Sequence, residues 1–239
     1  TRSKVRKALP RDYAYIIEEL MHETRGAFLS KHNYVKAIVD TIVSTGRARY
    51  FIIAIANVTR SLVIDHLHII GDIYDRGPGA HRIMDMLCKY KDYNIQWGNH
   101  DLVWMGASAG SAACVANVLR NSLKYADMGT LEDGYGISLL PLATFAMETY
   151  ADDPCTLFDP VKSDDTPADI PPVRLMSQMH KAITIIQFKL EAAVTARHPE
   201  FGMDSRNLLH KMDLKRGTII VDDREYRLLD TNFPTIDPD

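Results

Sequence analysis

The sequence predicts an α/β fold, and three observations predict it. Two short apolar runs, "HLHIIGD" at residues 66–72 and "YNIQWG" at 93–98, have the composition of strands. Between them "PGAHRIMDMLCKYK", residues 78–91, carries helical spacing and opens on Pro78, a residue suited to a first helical turn. A strand, a crossover helix and a second strand of this length make the two strands parallel. Both strands are expected to be buried.

The remaining elements follow from the same periodicities. Apolar residues recur at helical spacing from Asp12 to Met21, from Tyr34 to about Val43, and through "RARYFIIAIANVTRSLVID" at 47–65, so residues 1–62 are expected to be a helical segment. Residues 63–150 form the core segment, with the β-α-β unit followed by helical patterns from Asp101 through Ser122 and from Pro141 to about Tyr150. "ADDPCTLFDPVKSDDTPADIPP", residues 151–172, is rich in Pro and Asp and reads as a loop or linker. A helix from about Val173 to Ala196 comes next. "GTIIVDDREYRLL", at 217–229, then alternates apolar and polar residues around Asp222 and Asp223, the pattern of a β-hairpin, so residues 173–239 are a helix plus a hairpin.

Composition narrows the function. The chain has 239 residues, 46% hydrophobic and 25% charged, which suits a globular protein with a sizeable core. Its formal net charge of −3 argues against a nucleic-acid surface, so phosphate binding would have to come from locally placed groups. No apolar run approaches the ~20 residues that span a bilayer, and no signal-peptide apolar region opens the chain, so the expectation is a cytoplasmic protein without a membrane partner. Three cysteines, Cys88, Cys114 and Cys155, without metal-ligand pairing, read as reduced, buried thiols.

Both strands end in chemistry. In open α/β sheets ligands sit beyond the carboxyl ends of parallel strands, where Asp72 and Asn99 fall, and Gly71 and Gly98 let the chain turn there. Hard divalent cations take carboxylate and amide oxygens, which makes Asp72 a candidate bridging ligand and Asn99 a candidate ligand to one metal. Asn99 follows Asp72 by 27 positions, about the length of a strand-helix-strand crossover. Arg76 has the planar fork that phosphate oxygens accept bidentately. His100 is a candidate proton donor to a leaving alkoxide, and Asp75 is the nearest carboxylate to hold it. Other residues have plainer readings: Asp101 a helix cap, Trp97 and Trp104 core, "EDGYG" at 132–136 a structural turn, and Arg120 with Lys124 a solvated helix face that could also meet a second phosphate.

"GDIYDRG" and "GNHD" resemble two signature motifs of the calcineurin-like metallophosphoesterases, a family whose fold is a helix-flanked β-sandwich with a dinuclear metal centre. The longer stretches "LVIDHLHIIGDIYDRGP", "NIQWGNHDLVWMGASAGS", "LEDGYGISLLPL" and "IIQFKLEA" resemble the bacterial class III fructose-1,6-bisphosphatases within it, and the likeness runs from "TRSKVRKALP" to "FPTIDPD". The resemblance implies manganese-dependent hydrolysis of fructose 1,6-bisphosphate, a sugar bisphosphate substrate and a place in gluconeogenesis. Homo-oligomeric assembly is left open.

The pattern is incomplete. Enzymes of this kind also carry an upstream D-x-H motif and later histidines, one in a G-H pair, and this chain contains neither. Asp65 in "DHLH" lies seven positions before Asp72, or ~23 Å along an extended strand, and His68 is ~13 Å away, so neither reaches the strand end. The chain is therefore expected to be an internal segment, inactive in isolation. Two rival readings share its features: a protein serine/threonine phosphatase, which uses "GD-x-x-DRG" and "GNH", and a non-catalytic scaffold or regulatory module.

Overall fold

A computed structural model describes residues 9–21, 30–90, 92–161 and 171–234. Contacts divide the chain into two units, Thr1–His68 with Asp92–Asn94, and Ile69–Lys91 with Ile95–Asp239.

Three helices, α1 (Ala14–Met21), α2 (Ser30–Ser44) and α3 (Ala48–Val63), lie in the first unit. Gly46 ends α2 in the left-handed conformation, and the amides of Gly46 and Arg47 reach back to the carbonyls of Val43 and Ile42, each at 3.0 Å. That is a Schellman cap, which satisfies carbonyls the helix end would leave bare. Leu9, Ile17 and Val58 form a small buried cluster, with Tyr13 edge-on to Phe51. Other apolar residues of α3, including Tyr50, Ile52 and Val63, are exposed.

Strand β1 (Leu67–Ile69) pairs with β2 (Tyr93–Ile95). The bonds from Leu67 N to Asp92 O and from Gln96 N to Ile69 O advance in the same direction along both strands, so the pair is parallel. The strands are not buried, contrary to expectation: each is three residues long and half-exposed, and Ile70 is 82% exposed. Among the described residues each has only the other as a strand neighbour, so the pair lacks the flanking strands of a full parallel sheet.

The second unit holds α4 (Ala80–Leu87), α5 (Asn99–Ser108), α6 (Ala112–Lys124), a π-helical turn (Thr130–Gly134), α7 (Leu140–Thr149), α8 (Val173–Arg197) and a three-stranded sheet, β3 (Met212–Asp213), β4 (Thr218–Val221) and β5 (Arg224–Arg227). The helical patterns from Asp101 through Ser122 are the two helices α5 and α6, separated where Gly110 takes a positive φ. Asp222 and Asp223 both have positive φ, the geometry of the tight turn joining β4 to β5. The turn at "EDGYG" packs Gly134 so closely on His81 that an added Cβ would lie 2.6 Å from the imidazole carbon.

The core is built on α8. Its 25 residues carry Met176, Met179, Ala182 and Ile183 into one buried cluster with Ala116 and Leu123 of α6 and Ala146 of α7. Lys181, on the same helix, is completely buried. It survives there because its ammonium bonds Asp153 at 2.6 Å and Asp230 at 2.7 Å and stands near the rings of Tyr150 and Phe233. Burial works against ionisation of Asp153, but bonds from Lys181, the Cys155 amide and Asn232 outweigh it and hold the carboxyl down at about 2. Cys155 is the buried thiol, pushed up to about 12 chiefly by that burial; Cys88 is exposed and Cys114 intermediate, because neither faces the core.

Removing the Lys181 cation leaves two largely covered carboxylates facing a buried position with no cation between them. Lys181→Met is expected to cost about 3–5 kcal/mol at neutral pH, measured by urea unfolding. Because the folded Asp153 lies below its ordinary 3.8, its contribution is complete above about pH 4 and is lost as pH falls through about 2, so the wild-type advantage should shrink over that acid window. A loss below about 1 kcal/mol, the surface-pair range, would refute the buried-clasp account.

Candidate active site

The two strand ends meet backbone to backbone. At the end of β1, Gly71 (φ 87°) and Asp72 (φ 49°) are both left-handed, which reverses the chain within two residues. A Cβ on Gly71 would lie 2.5 Å from Gln96 O and 2.6 Å from Gly98 N, and a Cβ on Gly98 would lie 2.1 Å from Asp72 Oδ1. No side chain fits at either position. Gly98 is thus the residue that lets the Asp72 carboxylate settle against the loop after β2.

What fixes this approach is Asp101. Its carboxylate is fully buried and accepts the Gly98 amide at one oxygen and the Tyr74 amide at the other, each at 3.0 Å. Gly98 caps α5 without a side chain of its own, so Asp101, in the first helical turn, makes one half of a capping box. Its other bond crosses to the loop after β1. The reading of Asp101 as the helix N-cap is corrected: Gly98 is the N-cap, and Asp101, three residues on, bonds back to its amide.

On this frame the candidate residues assemble. The His100 amide donates to Asp72 Oδ1 at 3.2 Å, so Asn99, the first residue of α5, lies between two residues that both touch Asp72. His100 Nε2 is 2.9 Å from Asp75 Oδ1, and Arg76 Nε is 3.3 Å from the same oxygen. The carboxylate therefore orients both the imidazole and the guanidinium. On the far side of the imidazole, Asn121 Nδ2 is 3.5 Å from Nδ1, a long contact. The Arg76 guanidinium carbon stands 5.2 Å from the centre of the Tyr125 ring. Asp72, Asp75, Arg76, Asn99 and His100 are all in the second unit.

Asn121 and Tyr125 carried no signal in the motifs. They stand four residues apart, Asn121 on α6 and Tyr125 at its C-cap, a spacing that puts them on one helix face. Tyr74 and Tyr135 join through their hydroxyls beside Trp104, whose ring centre is 4.6 Å from that of Tyr74. Burial first, and then the Tyr135 hydroxyl, pushes the Tyr74 hydroxyl well above its ordinary range. An apolar cavity of about 630 Å³ opens there, between Trp97, Trp104, Leu119, Leu131 and Tyr135; none of the five candidate residues lines it.

A metal centre needs more than this chain brings together. Asp72 and Asn99 are oxygen donors of the kind hard cations take, but among the described residues no group of three His, Cys, Asp or Glu side chains could hold an ion. Asp65 and His68, on the first unit, are not added to them.

The family model described as Firmicute fructose-1,6-bisphosphatase matches residues 1–239. The chain belongs to that family. It is 61% identical over its full length to the fructose-1,6-bisphosphatase class 3 of Bacteroides thetaiotaomicron, 60% to that of Parabacteroides distasonis, and, over 99% of its length, 57% to that of Clostridium botulinum. It spans 36%, 36% and 35% of these relatives, about a third of their length. No solved structure matches the chain.

Asp101→Asn puts an amide NH2 where a carboxylate oxygen accepted a backbone amide, so one donor then faces another. A stability loss of about 1–3 kcal/mol is expected, together with faster hydrogen exchange at the amides of Tyr74 and Gly98. Unchanged exchange at both amides would show that the carboxylate is not the tie.

Proposed function

We propose that the protein containing this chain is a phosphomonoester hydrolase of the metallophosphoesterase type, which removes one phosphate from fructose 1,6-bisphosphate, in gluconeogenesis and in the cytoplasm. The observation that carries the reading is the single oxygen of Asp75 that holds His100 and Arg76 beside Asp72. Family membership and the printed activity of the relatives support it.

The residues divide the work. Arg76, with its fork anchored on one side by Asp75, presents the remaining N–H groups to phosphate oxygens and offsets their charge. Asp75 fixes the His100 ring through Nε2, and His100 donates a proton to the departing sugar oxygen from its other nitrogen, Nδ1, which the long Asn121 contact leaves displaceable. Manganese is the proposed cofactor, with Asp72 and Asn99 among its ligands. A bound dication would lower the charge on the phosphoryl oxygens. The other ligands lie beyond the 239 residues, and so does the β-sandwich of which β1 and β2 would be two strands.

The test separates the two side chains in the full-length enzyme. His100→Ala is expected to lower kcat by ~10²–10⁴ with little change in KM, and to spare an aryl phosphate whose leaving group needs no proton. Arg76→Ala is expected to raise KM and lower kcat on both substrates. Equal loss of His100→Ala on both would remove it as the acid. Preference for a phosphopeptide over the sugar bisphosphate would favour the protein phosphatase reading.

A further inference from the structure

Beside the imidazole contact on α6 stand two cations, Arg120 next to Asn121 in sequence and Lys124 three residues beyond it. Lys124 Nζ stands 5.4 Å from the centre of the Tyr125 ring, the same ring that Arg76 approaches at 5.2 Å. Arg76 is compensated by Asp75, whereas among the described residues neither Lys124 nor Arg120 meets a carboxylate. The Nε of Arg120 is buried and has no hydrogen-bond acceptor. A buried guanidinium N–H left without a partner carries a desolvation cost that an acceptor would remove. Both charges also lie close enough to His180 to hold it below its ordinary range, after burial, which is the larger cause. Two acids line the small cleft beside Arg76 and Tyr125: Asp75, which already holds His100 and Arg76, and Asp127, whose carboxylate takes the Thr130 hydroxyl at 3.3 Å.

These charges sit on a protein of formal net charge −3, so an uncompensated pair here is local, not part of a basic surface. A guanidinium and an ammonium one helical turn apart suit an anion with several oxygens. We infer that Lys124 and Arg120 form the subsite for the phosphate that is not cleaved, and so select a sugar bisphosphate over a monophosphate. The inference rests on the phosphatase reading above. It explains why Tyr125 serves both sides: the ring bounds the reacting phosphate's arginine and the second phosphate's lysine, and sets the span between them.

The test uses the full-length, metal-loaded enzyme with fructose 1,6-bisphosphate and phenyl phosphate, which has one phosphoryl group. Lys124→Met is expected to raise KM for the bisphosphate about tenfold or more and to leave kcat/KM for phenyl phosphate within about twofold, because a charge-assisted bond is worth about 1.5–3 kcal/mol. Lys124→Arg should recover most of the loss, which a merely structural role would not. Arg120→Met should act in the same direction, and if it unfolds the protein the two Lys124 variants still decide. Equal losses on both substrates, or an unchanged KM for the bisphosphate, would overturn the subsite. Calorimetric binding of the bisphosphate separates the two levels: a wild-type protein that binds it through Lys124 but hydrolyses neither substrate keeps the subsite and loses the phosphatase reading. Binding of the same strength in Lys124→Met would overturn the subsite whatever the turnover.

Discussion

A fully buried carboxylate with two backbone amides on it is the constraint on which this site depends. Asp101 takes one amide from the loop after β1 and one from the loop after β2, so the two loops cannot separate without breaking a bond to a buried carboxylate. Each charge-assisted bond of this kind is worth about 1.5–3 kcal/mol, several times an exposed ion pair. The glycines set how close the loops come and Asp101 holds them there. Asp72 then has no freedom: the Gly98 backbone lies against its carboxylate and the His100 amide bonds one of its oxygens. With Asp72, Asn99 and His100 fixed in relation to one another, the flexible members, Asp75 and Arg76, need only one shared oxygen to complete the cluster.

Helix α6 couples this frame to the core. Ala116 and Leu123 face the cluster built on α8, while Asn121, and Tyr125 just past the helix end, reach the imidazole and the guanidinium. Packing that holds α6 therefore also holds the outer side of the site. The opposite end of the core is closed by charge rather than by apolar contact: Lys181 between Asp153 and Asp230 ties α8 to the segment that follows the hairpin. The same physics serves both ends. At both ends a buried charged group is held by directional bonds that offset its desolvation.

Much of this was legible in the sequence, for particular reasons. The β-α-β unit, the long helix after residue 172 and the hairpin at Asp222 and Asp223 each rest on a local periodicity or a turn that only certain residues adopt. Asp75 beside His100 was readable because both sit in short motifs at crossover spacing. The strand ends carry the chemistry, but the strands themselves are short and half-exposed, since apolar composition reports what a strand needs and not whether a neighbour supplies it. Asp101's second bond was not readable, because a capping pattern says nothing about a loop 27 residues away. Asn121 and Tyr125 belong to no motif, and only the packing of α6 brings them to the site, whereas Arg120 and Lys124 were readable as a pair one helical turn apart.

The central claim is that two strand-end loops, locked by Asp101, present Asp72 and Asn99 together as oxygen ligands in the longer protein. Anomalous diffraction from crystals of the manganese-loaded full-length protein tests it most directly. The account predicts a manganese peak in contact with a carboxylate oxygen of Asp72 and the side-chain oxygen of Asn99, with His100 and Arg76 facing the open side. Manganese bound elsewhere, with Asp72 and Asn99 outside the coordination sphere, would contradict it.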